Sequence, residues 1–214
     1  MPYKDIEKVL SAGRLFTYRS AVKNILGIDS EETTLKLYEW NAKLSGHFLF
    51  PLHIYEVMLR NAISDAISQR YGVDWPINKV FQNSLPRKEK ADLLNLVTPT
   101  YNGLGKVVPE LNLYWFESML TKRHEARIWK QYSSTTFPNA RIDAATLRVR
   151  LNKECKQIRK LRNRIAHHEP IFNQINTQEI LGQIQTAVAF RCTATEAWLM
   201  DCEQVSELLI NPII

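Results

Sequence analysis

Apolar residues recur along this chain at the three- and four-residue spacing of helices that face a core, and nowhere do they alternate every second residue as in a half-buried strand. The periodicity predicts helices over residues 3–10, 14–26, 31–47, 52–71, 87–97, 111–121, 143–167 and 177–200, with a short tail over 203–210. Gly27, Pro51, the stretch 72–76 and two loops over 98–109 and 133–142 punctuate them. The most apolar patch, His47 to Leu59, contains His53 and Glu56 and reads as a buried pair of helices broken at Pro51. Asp143 is suited to cap the long helix that follows it. The tryptophans and the tail Leu208-Leu209-Ile210 belong either to the core or to a subunit interface. The expectation is one all-α domain over residues 1–214, since that length suffices for one core and is short for two.

The helix over 144–166 carries the informative break in pattern. At 100° per residue, Leu147, Leu151, Cys155, Ile158, Leu161 and Ile165 fall on one arc about 120° wide. Arg148, Lys153, Lys156, Arg159, Lys160 and Arg164 fall outside it, where charged residues normally sit, whereas Arg162 falls inside. A guanidinium facing a core or an interface costs several kcal/mol unless it is paired and hydrogen-bonded, so Arg162 has either a structural partner or a task. Four residues separate it from His167, and on an unbroken helix the two would diverge by about 140°. Pro170 disfavours helical geometry at Glu169, so the last turn is expected to fray around His167 and His168 and let Arg162 and His167 approach. Arg164 and His168, spaced i,i+4, share a face without any fraying. Both pairs stay open as the chemical centre.

Charge narrows the partner class. Lys and Arg total 28 against 22 Asp and Glu, a net +6 with a pI near 9.2. Between Arg148 and Arg164 the only acid is Glu154, a clustering that suits a polyanion track along Arg148, Lys153, Lys156, Arg159 and Lys160. The same run also describes a solvated helix face. A second basic group, Lys122, Arg123, Arg127 and Lys130 around His124, either extends that track or is surface.

Other chemistries lack their signatures. Cys155, Cys192 and Cys202 are odd in number with no C-x-x-C spacing, which fits a reduced, cytoplasmic chain. The opening Met1-Pro2-Tyr3-Lys4-Asp5-Ile6-Glu7-Lys8 has no apolar leader, and no stretch is apolar for long enough to span a membrane. His47 and His53, the isolated His124, and the adjacent His167 and His168 make no ligand spacing, so no metal is expected. Gly103-Leu104-Gly105 lacks the strand and third glycine of a phosphate loop, and no cofactor is expected.

The block Leu161-Arg162-Asn163-Arg164-Ile165-Ala166-His167-His168-Glu169-Pro170-Ile171 strongly resembles the C-terminal signature of the Abi-like (abortive infection, AbiD/AbiF-type) proteins of the HEPN superfamily of all-helical ribonucleases. The resemblance continues in colinear order over residues 8–172. Leu10-Ser11 to Tyr18 looks like the family's opening helix, and Leu37-Tyr38-Glu39-Trp40-Asn41 like its second landmark. Glu56 to Ile63, with Glu56, Arg60 and Asn61, is similar to its E-x3-R-N helix. Tyr71-Gly72-Val73-Asp74-Trp75 and Gly105-Lys106-Val107-Val108 to Trp115-Phe116 complete the series. Tyr114 departs from the family pattern at a place expected to touch packing more than chemistry.

The resemblance implies a HEPN-like helical bundle with additional N-terminal and C-terminal helices, acting as a metal-independent endoribonuclease and serving as a toxin or an abortive-infection effector against phage. Such cleavage uses the ribose 2′-OH as nucleophile. It needs a group that moves protons near neutrality, which imidazole does, and a fixed cation for the crowded phosphate, which a guanidinium supplies. His167 would take the first role and Arg162 the second, giving 2′,3′-cyclic phosphate and 5′-hydroxyl ends, with DNA resistant. Two such motifs would converge across a homodimer, which would account for Arg162 on an apolar arc. Asn163 and Arg164 would orient substrate, with His168 assisting or donating a structural hydrogen bond. Glu56 and Arg60 would pair within their helix, and Asn61 would support the active helix. RNA is the implied substrate and an RNA or protein antitoxin a further partner. Two other readings remain: a non-catalytic RNA-binding module on the same fold that captures a structured antitoxin RNA, and a helical scaffold whose basic face is only solvated.

Overall fold

The computed structural model describes residues 3–173 and 176–214. Among them there is no strand, and the chain is all-α. Its axis is α3 (Glu31–Tyr71), a helix of 41 residues that starts on Ser30, whose hydroxyl accepts from Thr33 N–H at 3.1 Å, and ends at Gly72 with φ 88°. Pro51 lies inside this helix and does not break it, contrary to the expected helix pair. Proline in a helix interior costs about 3 kcal/mol. Phe48, Leu52 and Tyr55, on the turns either side of Pro51, are all buried, each contributing about 1.5–3 kcal/mol, so continuing the helix outweighs the lost hydrogen bond.

Against α3 lie α2 (Ala12–Leu26), α7 (Leu113–Met119), α8 (Lys130–Thr136), α9 (Ala144–Ala166) and α10 (Thr177–Arg191). Shorter pieces close the ends: α1 (Tyr3–Leu10), α4 (Lys79–Ser84), α5 (Arg87–Val97), α6 (Leu104–Glu110), α11 (Thr193–Cys202) and α12 (Val205–Ile210). Both expected loops turn out to be partly helical, as α6 and α8. The helix expected over 177–200 is interrupted at Cys192, an extended residue with φ −158°. No helix of the described residues is long and apolar enough to cross a membrane.

The main apolar core runs from Leu44 to Val205, and two smaller clusters, around Leu15 and around Val22, form where α1 and α2 meet α3. Its densest part is aromatic: Trp75 and Trp115 stack at 5.7 Å, with Phe81 and Phe116 each about 5.2 Å from one of them. The indole N–H groups are satisfied, Trp75 donating to Ser64 Oγ, Trp115 to Glu89 O and Trp129 to Met119 O. Trp198 instead stays half exposed. In α9 the cap is Asp143, whose carboxylate accepts from Ala145 and Thr146 N–H at 3.0 Å. All six apolar residues of the expected arc, Leu147 to Ile165, are buried.

Candidate functional site

The end of α9 keeps its last helical bond. His167 N–H still donates to Asn163 O at 3.0 Å, and one residue later His168 is left-handed with φ 55°. The chain leaves helical geometry at His167, with φ −94° and ψ 9°, where the break is expected, but the helical N–H bond keeps His167 about 140° around α9 from Arg162. His167 and His168 are both exposed.

What holds the turn is Arg164. Its Nε and Nη2 donate to Pro170 O at 3.0 and 2.6 Å, and Nη1 pairs with Glu169 at 3.0 Å. Arg164 is thus a clamp on the chain leaving α9 and not a substrate-orienting cation, because those donors are committed to its own turn. Downstream, Ile171 N–H donates to Asn41 Oδ1 at 2.9 Å, Asn41 Nδ2 donates to Tyr18 OH, and Phe172 packs on the Tyr18 ring. From α2, Arg14 donates to His168 O at 2.5 Å. Two distant parts of the sequence, α2 and α3, therefore join Arg164 in fixing the turn that follows the two histidines.

Arg162 turns out of the core. Its side chain is 48% exposed, at the edge of the buried arc, and opens into a cavity of about 420 Å³ between α9, α3 and the segment Pro109–Tyr114. The cavity brings together Glu56, Arg60, Arg159, Arg162 and Asn163, and His167 is outside it. Glu56 bonds Arg60 through one carboxylate oxygen, as its i,i+4 spacing predicts, and stands 3.8 Å from Arg162 Nε through the other. Arg60 is further fixed by Pro109 O at 2.8 Å and the face of Phe116. Arg159 is held at 2.7 Å by the buried Glu117. Asn61 does not support α9: it is exposed on the neighbouring face of α3 and does not line the cavity. Arg162 is therefore the cation there with the loosest partner, Glu56 at 3.8 Å.

The basic track divides in two. Arg148 is buried, donating to Leu120 O at 3.0 Å and to Glu125 at 2.9 Å, so it is a core ion pair and not an RNA contact. Arg159 is likewise consumed by Glu117, although it keeps one edge on the cavity. Lys153, Lys156 and Lys160 are exposed as expected. Lys153 stands nine positions before Arg162, which places them about 180° apart around α9, so these lysines do not lead into the cavity on the same face.

Nothing in the local pattern points to Glu117 or Glu125, acids whose arginine partners lie far along the chain, while Asn41 lies in the stretch 37–41 already noted but its bond to Ile171 N–H does not follow from it. In the second basic group, Arg123 and Arg127 donate to Ser84 O, and His124 is fully buried beside Arg127. Burial pushes the Cys155 thiol up to about 12, leaving it protonated and inert. Among the described residues no three His, Cys, Asp or Glu side chains gather as a metal site. Comparison of the chain with protein-family models, with curated proteins and with solved structures gives no match in any of the three.

Proposed function

We propose that the chain is a metal-independent endoribonuclease of HEPN type, working as a toxin or an abortive-infection effector. The observation that carries the reading is Arg162, a half-exposed, loosely paired guanidinium opening into a polar cavity on the same helix end that presents His167. Arg162 would hold the scissile phosphate and the charge that builds on it, and His167 would move the proton of the attacking 2′-OH or of the leaving 5′ oxygen. Asn163, lining the same cavity, would add a donor to substrate.

Because His167 diverges from Arg162, one copy does not pair them. A homodimer in which His167 of one copy meets Arg162 of the other supplies the pair, a two-fold arrangement in which each surface meets its own counterpart. An apolar groove beside His168, walled by Val9, Leu10, Tyr38, Leu49, Ile165 and Ala166, supports a protein contact at this end of the molecule. Phage defence, a toxin role and an RNA or protein antitoxin rest on the Abi-like resemblance.

The test is cleavage of a mixed-sequence labelled RNA in excess chelator by the wild type and by His167→Ala. Chelator-resistant cutting that leaves 2′,3′-cyclic phosphate ends and vanishes in the variant supports the reading, and equal cutting by both removes it. The separation of Arg162 from His167 within one chain favours a second reading, a non-catalytic module that captures a structured RNA. Salt-sensitive binding without cutting would select it.

A further inference from the structure

We propose that Tyr114 is a stacking platform for one unpaired nucleobase next to the phosphate held at Arg162, so that the site takes single-stranded RNA. The assignment rests on the RNA reading above and adds the substrate class to it.

Tyr114 is the second residue of α7, and its neighbours Leu113, Trp115, Phe116 and Glu117 are all buried. It alone points outward, 40% exposed, so it does not belong to the packing role its place in the sequence suggests. Its side chain lines the same cavity as Arg162, Asn163 and Glu56. An exposed aromatic ring in an RNA site has a specific use, since every base has a π face and stacks without regard to sequence. Bases held within a duplex are already stacked on their neighbours and are closed to it.

The surroundings fit this use. Arg159 lies over the ring at 5.3 Å and is fixed there by Glu117, which holds the aromatic plane in one orientation. Lys88 lies over the ring at 5.0 Å but is exposed and has no ion pair among the described residues. A base can displace it, and the freed ammonium then meets the adjoining phosphate. The Tyr114 ring and the Arg162 guanidinium thus line one cavity, with the Lys88 ammonium over the ring.

The experiment measures binding of a short unstructured 2′-O-methyl RNA, which lacks the attacking hydroxyl, carrying a single 2-aminopurine, and of the same sequence as a full duplex. Tyr114→Ala and Tyr114→Leu should each bind the single strand about tenfold to a hundredfold more weakly and lose the 2-aminopurine quenching, while Tyr114→Phe and Tyr114→Trp keep both. Duplex binding should be the same in all five proteins. Unchanged affinity and quenching in Tyr114→Ala, with the wild type binding, overturns this assignment alone. An equal loss for single strand and duplex also overturns it, by making Tyr114 a structural residue. No binding of either RNA by the wild type removes the RNA reading and this assignment together.

Discussion

Glu56 stands 3.8 Å from the Arg162 guanidinium while its other carboxylate oxygen is bonded to Arg60. A phosphate arriving at Arg162 must compete with that carboxylate. Because Arg162 is half exposed, solvent screens the pair and it is worth no more than about 1 kcal/mol. Glu56→Gln should therefore tighten RNA binding by roughly two- to fivefold, with the gain shrinking as salt is raised. Binding isotherms at several salt concentrations decide it. Weaker binding in the variant would mean that Glu56 itself contacts the substrate.

Arg162 and His167 should each be indispensable, since the other arginines of the cavity are tied to Glu56 and Glu117 and no imidazole lines it. Arg162→Ala and His167→Ala are expected to lower cleavage by about a hundredfold or more while leaving the helical circular dichroism intact. If the pair is assembled across two copies, mixing the two inactive variants restores one intact Arg–His pair in each mixed dimer. An equimolar mixture should then recover about a quarter of the wild-type rate, half of the dimers being mixed and one of two pairs intact. A mixture as inactive as its parts would place both residues in the service of a single chain.

Arg164 differs from Arg162, two residues earlier, in having its donors committed. Arg164→Ala leaves Pro170 O without those bonds and releases the turn that carries His168, at a cost of about 1–2 kcal/mol. The thermal midpoint should fall by about 2–8 °C. Arg164→Lys should recover little of this, because an ammonium does not reproduce the forked contact with one carbonyl and a carboxylate. Faster amide exchange at Ile171, whose N–H is held by Asn41, would show that the defect lies in this turn.

The sequence made the faces of α9 legible because the face is written in its own period: every one of Leu147, Leu151, Cys155, Ile158, Leu161 and Ile165 is buried. It did not make the fate of the arginines legible. Arg148 and Arg159 meet Glu125 and Glu117, 23 and 42 residues away, and the period of one helix says nothing about acids on another. Pro51 misled for a related reason, since the rule for breaking a helix is local and the burial that overrides it is not. The interruption at Cys192 falls with neither glycine nor proline beside it to announce it. At the candidate site, the pairing of Glu56 with Arg60 followed from i,i+4 spacing, and their meeting with Arg162 needed the packing of α3 on α9.

His124 offers a test of the interior that is independent of any RNA. It is fully buried, with Nδ1 3.1 Å from Arg127 Nη2. A guanidinium can only donate, so Nδ1 carries its lone pair, the ring is neutral, and the proton sits on Nε2, which has no partner. Burial first, and then the nearby Arg127 and Arg123 cations, push its pKa down from 6.5 to about 3. The unfolded chain takes up this proton near pH 6.5 and the folded chain does not until about pH 3. The neutral ring's contribution is thus fully present above pH 6.5 and is lost progressively as the pH falls towards 3. At pH 5 the loss is about 2 kcal/mol, or roughly 4–8 °C in thermal midpoint relative to pH 7. In His124→Gln, which keeps an acceptor for Arg127 and has no proton to gain, the midpoint should move much less between the two pH values. Thermal melts of both proteins at pH 7 and pH 5 check this, and parallel shifts would show that the acid sensitivity arises elsewhere.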